Sequence, residues 1–504
     1  MWLTYQTHPR EATAGLHSLL LQQGVSRIGG RRSSSVQRGL QGAWQLLRDQ
    51  LDPRLALDWL QPLLTLKLIS DQWRARRIQL ITEFPLQPEK ISAGLNAYSW
   101  QMPLVRLPAG LRQTGRPGGG SECLASFDSL LQRRDQASPG RLINLILEQL
   151  AHANPAQLQG VFAGYDYDDA ALFGADLQRK LLWRAVLLEL GRCDLSDVSA
   201  CLEMQQWWRS KLTLSPPVQL CAALAHLAYR ESDQPCLMRD PFCGHGEAVL
   251  ALLASGSPAG NLQACASEAA HWRRARLNLL LWQAQQIALL RQTDWSEAPA
   301  LPPAKLQVTN LFEYPPAWDG KKMKHSPQQF PWGAPPKGRP EFAAISRMLQ
   351  QAAADGQILV LVRTHCLQRS GKEQAIRAAL APHLAAVILL PARSERQRSA
   401  LLWLHATARH APVWFADYSK CEAEVAQLAA RMWDERQAGR DLPWARQVHS
   451  WQLAENQHIW RPDLYLQAPA LQPKRAQLQQ LERECALMRR EVEGRLQALG
   501  LLSQ

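Results

Sequence analysis

Five short apolar runs in the second half of the chain constrain the fold more than anything else. They are CLMRDPFC, NLQACASE, KLQVTNLF, GQILVLVRT and LAAVILLPA, and helical stretches separate them. Strands that alternate with helices predict an α/β fold with a parallel, doubly wound sheet. That domain is expected to span about 211–420. Residues 51–210 are expected to be mostly helical. LALDWLQPLLTLKLISDQW, RLINLILEQLAHANPAQLQGVF and LQRKLLWRAVLLELGR all carry apolar residues at helical spacing. Pro62 is expected to kink the first of these or to mark a helix start. The segment TGRPGGGSE is a break. Residues 1–50 read as a variable extension, with GGRRSSSVQR as a loop. Residues 421–504 read as a C-terminal helical region. There Leu478, Leu481, Cys485, Met488, Val492, Leu496 and Leu499 keep three- and four-residue spacing. This pattern predicts an amphipathic or coiled-coil helix, packed on its own domain or docked on a partner.

Composition narrows the class. Of the 504 residues, 46% are hydrophobic and 20% charged, as in a soluble globular protein. The start, MWLTYQTHPR, lacks the pattern of a signal peptide, and no apolar run has spanning length. A cytoplasmic protein with no membrane role is the expectation. Ten cysteines occur without a CxxC pair, so zinc-ribbon and thioredoxin readings fail and free thiols are expected. Lys and Arg outnumber Asp and Glu by 57 to 44, a net +13. Such an excess suits a polyanion, nucleic acid above all, or is a generic basic surface.

MRDPFCGHGEAVLALLA is the sharpest local feature. A strand is expected to end at Asp240, a tight turn to carry Gly244 and Gly246, and a helix to begin near Ala248. Glycines let backbone approach a ligand beside a helix N-terminus. NLQACASE ends the next strand at Glu268, where a carboxylate can accept two ribose hydroxyls. LLRQTDWSE puts Asp294 at the end of a third, where an acid can meet an adenine amine. Three acids at three consecutive strand ends suit a nucleoside such as that of S-adenosylmethionine. The dinucleotide pattern G-x-G-x-x-G is absent, because the segment reads GHGEAV.

These segments and others resemble the DNA-methylation subunit of type I restriction–modification systems, an adenine-N6 methyltransferase. LLTLKLISDQW resembles that subunit's first helix with its LK-x-hydrophobic-SD core. ANPAQLQGVF followed by DYDDA resembles its NP-x-L-x-G segment. TLSPPVQLCAALAHL, with Pro216, resembles the helix that closes over the methionine of the cofactor. DPFCGHGE stands where the family has a DPACGSGG-type turn, and RARLNLLLW resembles its MNL-x-LHG helix. Farther on, FPWGAPPKGRPEFA, the run from DGQILVLVRT to EQAIRAAL, and LAAVILLP follow in the family's order. The resemblance covers nearly everything from about residue 55 onward. It implies a Rossmann-like methyltransferase domain between a helical N-terminal domain and a helical tail.

The resemblance also implies roles. Asp240, Gly244, Gly246, Glu268, Asp294 and Pro216 would hold S-adenosylmethionine. In the family the loop after the fourth strand reads NPPF, and it receives an adenine flipped out of the duplex. Its asparagine and a proline carbonyl orient the amine, and its aromatic ring stacks on the base. The gapless match here is Asn310, Leu311, Phe312 and Glu313. Asn310 would orient the amine. Both prolines are gone, and Glu313 occupies the aromatic position, so Phe312 or Tyr314 would have to stack. In the cofactor turn His245 replaces a small hydroxyl residue and Glu247 replaces Gly or Thr. His245 reads either as a counter-charge to Glu247 or as a bulky residue in a pocket no longer used. Two readings follow. One is an active DNA adenine methyltransferase with an atypical loop. The other is a pseudo-methyltransferase that keeps fold and partners as a DNA-binding or assembly scaffold. RNA or protein methylation is compatible with the sheet alone. The implied partners are double-stranded DNA, a specificity subunit and a restriction or translocase subunit, with the helix of about 473–500 as the docking element.

Overall fold

The computed structural model of the chain describes residues 34–108, 111, 121–135, 138–212, 215–230, 236–292, 295, 301–319, 329–391, 398–409, 411–466 and 488–489. Asp294, the segment before Ser34 and nearly all of the expected docking helix lie outside the described residues.

A short hairpin of β1 (Leu104–Arg106) and β2 (Glu122–Leu124) sits within the helical first half. The expected strands of the second half do form one sheet. They are β3 (Met238–Asp240), β4 (Leu262–Ala266), β5 (Ala288–Arg291), β6 (Ala304–Asn310), β7 (Ala352–Arg363) and β8 (Leu384–Leu389). Three more join them: β9 (Ser399–His405), β10 (Val413–Asp417) and β11 (Ala445–Val448). Across the sheet the order is β5-β4-β3-β6-β7-β9-β8-β10-β11. Neighbours are parallel except that β9 runs against β7 and β8, and β11 runs against β10. The sheet thus reaches past residue 420, into the region expected to be helical. ARQV, the sequence of β11, is too short and too polar to announce a strand.

Burial on both faces explains the near-continuous apolar runs. Along β7, Ile358, Val360 and Val362 point into one core, while Leu359 and Leu361 point into the other. The first core is closed by α9 (Glu341–Gln350) and α10 (Lys372–Leu380). The second is closed by α6 (Pro216–Arg230), α7 (Glu247–Ala254) and α11 (Val425–Ala438).

The helical body contains α1 (Ser35–Arg48), α2 (Pro53–Glu83), α3 (Pro139–Ala153), α4 (Asp176–Gly191) and α5 (Val198–Leu212). Helical packing therefore reaches into the residues expected as an extension. Ser34 caps α1 by accepting from the Gln37 N–H, and Leu40, Ala43 and Leu47 are fully buried against the body. Pro62 lies inside α2, which continues through it. The LKLISD segment of α2 is a tie. Lys67 Nζ lies 2.6 Å from Asp71, which also accepts the Leu195 N–H at 2.8 Å. Ser70 accepts the Phe127 N–H at 2.8 Å. Asn154, of the ANP segment, clasps Gln101 by accepting its N–H and donating to its carbonyl, both at 2.8 Å.

One helix joins the two halves. On α8 (Ala269–Leu281), Leu277, Leu280 and Leu281 belong to the helical core, whereas Ala275 and Leu279 belong to the core of the sheet. Because β3 has β4 on one side and β6 on the other, the sheet has its switch point between β3 and β6. A crevice at their carboxyl ends is where such sheets bind ligands.

Candidate active site

Asp240 ends β3 and is 1% exposed. Its carboxylate accepts the Phe242 N–H at 3.2 Å. Burial pushes this carboxyl up to about 7, against the opposing effects of the Thr309 hydroxyl and the Phe242 N–H. The turn that follows takes left-handed backbone at Gly244 (φ +51°) and Gly246 (φ +86°). At Gly246 this conformation, not space, requires glycine. At Gly244 both do, because an added Cβ would lie 2.2 Å from Cγ of Tyr314.

Asn310 ends β6, one strand over, and is 3% exposed. Its loop folds back on it. The side-chain oxygen accepts the Glu313 N–H at 3.2 Å, and the backbone carbonyl accepts the Tyr314 N–H at 3.1 Å. Leu311 is buried in the core. Phe312 faces the end of β7, where the Arg363 guanidinium lies 5.8 Å from its ring centre and Arg363 Nε donates to its carbonyl. Glu313 bonds Ser215, next to Pro216, and feels Arg54 of α2; burial nonetheless raises its carboxyl above the usual range. Pro216 itself is exposed in the first turn of α6.

Tyr314 turns the other way, onto the glycine turn. Its ring centre is 4.8 Å from that of His245 and 5.5 Å from that of His271. Its hydroxyl donates to Glu247 Oε1 at 2.7 Å and lies 3.2 Å from His245 Nδ1. Arg274 Nη1 donates to His245 Nε2 at 3.0 Å and pairs with Asp58 of α2. An arginine can only donate, so Nε2 is an acceptor and Nδ1 carries the proton. A directed chain results: Arg274 to His245, His245 to the Tyr314 oxygen, and Tyr314 to Glu247. Burial and Arg274 push His245 down to about 3, and burial with Glu313 nearby pushes Glu247 up to about 8. Both groups are therefore neutral near pH 7, and His245 is no counter-charge to Glu247.

The expected site residues are thus only partly brought together. Asp240, Gly244, Gly246, Asn310 and Tyr314 share the crevice. The Glu268 side chain is 47% exposed, with His271 Nδ1 3.9 Å from its carboxylate. The residues missed are on α8 and α2. Asn278, 1% exposed, donates to the His245 carbonyl at 2.8 Å and accepts from Gln61 at 2.6 Å and Trp208 at 2.9 Å. The RARLNLLLW segment carried that signal in its asparagine. Among the described residues, no group of three or more His, Cys, Asp or Glu side chains is placed to hold a metal ion. No described helix is long and apolar enough to cross a membrane.

Two family profiles match the chain: N-6 DNA Methylase over residues 220–437, and HsdM N-terminal domain over residues 36–188. Among solved structures, the type I restriction-modification system methyltransferase subunit from Streptococcus thermophilus is similar with a TM-score of 0.65. The two share 17% identity over 85% of this chain and 98% of that one. A chain solved for the complex assembly of a type I R-M system gives a TM-score of 0.54 at 14% identity, covering 93% of this chain and 99% of that one. A modification subunit from Vibrio vulnificus YJ016 gives 0.51 at 12% identity, over 84% of this chain and 94% of that one. These likenesses show the fold. No curated protein matches the sequence. The helical body and the sheet carry the two matched segments in the order that the family requires, and the chain belongs to the N-6 DNA methylases as an HsdM-like methyltransferase subunit of the type I restriction–modification kind.

Proposed function

We propose that this subunit acts as a DNA-engaging scaffold in a cytoplasmic restriction–modification or related defence complex, and that it has lost methyl transfer. The observation that carries this reading is the state of Asn310. The family's asparagine must offer its oxygen to an adenine amine. Here Asn310 is 3% exposed and its oxygen accepts the Glu313 N–H, so an amine reaches the second lone pair of that oxygen only if the loop opens. Neither aromatic side chain of its own loop is placed to stack beside it. Glu313 holds the stacking position, Phe312 lies against Arg363, and Tyr314 is on the glycine turn.

S-adenosylmethionine is the group the fold family implies. The residues present do not fit it, because Tyr314 lies against the Cα of Gly244, where the turn needs open space. No reaction step is therefore derived through it. The remaining roles are those of a scaffold: a basic chain of net +13 that holds duplex DNA beside a specificity subunit and, in some assemblies, a restriction or translocase subunit.

Adenine methylation mapped across the genome by single-molecule sequencing, with the gene present and deleted, tests the proposal. The expected outcome is that no motif loses its mark, while the purified protein still retards duplex DNA. A motif that loses its mark on deletion would mean that Tyr314 leaves Gly244 and Asn310 is freed, and the subunit would be an active methyltransferase.

A further inference from the structure

We infer that the ligand seat above the glycine turn is filled permanently by the chain's own side chains, with Tyr314 as the occupant, so that the protein takes up no S-adenosylmethionine. This deepens the scaffold reading and rests on it.

The occupant is held at every atom that can be held. Its ring lies on Gly244 so closely that only glycine is compatible. His245 and His271 pack on the same ring and on each other, with centres 4.8–5.5 Å apart. The hydroxyl is satisfied on both sides, accepting from His245 Nδ1 and donating to Glu247. The backbone is fixed as well, since the Tyr314 N–H and the Glu313 N–H both bind Asn310.

The lock reaches outside the crevice. His245 is oriented through Nε2 by Arg274, and Arg274 is held by Asp58 on the helical body. The His245 carbonyl accepts from Asn278. Swinging the ring away would leave the His245 N–H and Glu247 without partners in a buried space. A single exposed aromatic can change rotamer freely, but this one closes a chain that runs from α2 to α7. Glu247 adds a second barrier. The second oxygen of its carboxyl is buried without a partner, in a turn that would have to receive an amino acid with its own carboxylate. The barrier is bulk, because the carboxyl group fills space that a Gly or Thr at this position leaves empty.

Equilibrium dialysis of the full-length protein against labelled S-adenosylmethionine, with and without duplex DNA, is the test. Wild type should show no saturable binding at millimolar ligand. Tyr314→Ala combined with Glu247→Gly empties the seat. This variant, once shown to be folded by circular dichroism and melting, should bind one equivalent. Saturable one-to-one binding by wild type overturns the inference. So does a folded double variant that still fails to bind, because something other than Tyr314 would then exclude the ligand. Should the double variant not fold, hydrogen exchange of wild type decides. Amides of 240–250 and 308–319 that are protected without ligand and unchanged by it support the filled seat. Protection that rises with ligand overturns it. Methylation maps read the scaffold function separately. Uptake of ligand without any genomic mark would sink the filled seat and leave the scaffold standing.

Discussion

Glu247 is a carboxyl group buried in the glycine turn. It replaces a small residue at the first position of α7, and burial holds its carboxyl up at about 8. A group whose folded value is raised stabilises the protein below its unfolded value and loses that contribution as the pH climbs through the folded one. Asp240, raised to about 7, has the same sign, as does Glu313. His245 and His271 are depressed, so they cost stability only when the pH falls below the ordinary histidine value of about 6.5. From that pH upward only the carboxyl groups act, and stability should fall. For Glu247 alone the slope approaches roughly 1.4 kcal/mol per pH unit until its own value is passed. Thermal melting from pH 6.5 to about 8 checks this. Wild type should lose stability, and Glu247→Gln should lose less. Equal slopes in the two proteins would mean that Glu247 is ionised throughout. The sequence showed that Glu247 was out of place, and it named Tyr314 as an aromatic near the amine loop. That the two touch was not legible. They are 67 positions apart, and nothing in the spacing of NLFEY says that its tyrosine turns toward the glycine turn.

At the scale of elements, α8 decides how the turn is held. Asn278 spans the join, binding Gln61 of α2, Trp208 of α5 and the His245 carbonyl of the turn. Asn278→Ala would leave two donors and one acceptor buried without their partner. The expected cost is about 2–4 kcal/mol in urea unfolding. A loss below about 1 kcal/mol, within the range of a surface change, would mean that α8 is held by its leucines alone. Elements were legible where their burial is uniform. The runs of β7 and β8 are apolar on both faces and β6 alternates Leu306 and Val308 with polar residues, so each was expected where it lies. Helices α3 and α4 have one apolar face, and α2 is rich in apolar residues and buried all round from Trp59 to Asp71, so all three were equally plain. The failures have local causes. Helix α1 follows an Arg- and Ser-rich segment, and its burial depends on contacts with α4. Strand β11 has only its pairing with β10 to define it. Pro62 did not mark a helix start, because the residues on both sides of it are buried and the helix continues through it.

At the scale of the whole molecule, the doubly wound sheet and the helical body are the parts a scaffold needs, and both are intact. The crevice that would report on chemistry is closed, while the charge that would attract DNA remains at +13. These two facts give opposite expectations for two additives. Salt competes with every lysine or arginine that neutralises a phosphate, and each such contact contributes a slope of about −0.9 to log K against log salt. About six contacts would cost roughly a thousandfold in affinity between about 50 and about 200 mM salt. S-adenosylmethionine, by contrast, has no seat to occupy, so it has no differential affinity through which to tighten the complex. Fluorescence anisotropy with a labelled duplex should therefore show affinity that collapses with salt and does not move with cofactor. A rise in DNA affinity on adding cofactor would mean that the two ligands are linked through the crevice, and by reciprocity that DNA tightens cofactor binding. That outcome would require Tyr314 to leave Gly244 when DNA arrives, and the subunit would then be a methyltransferase held shut until its substrate is present.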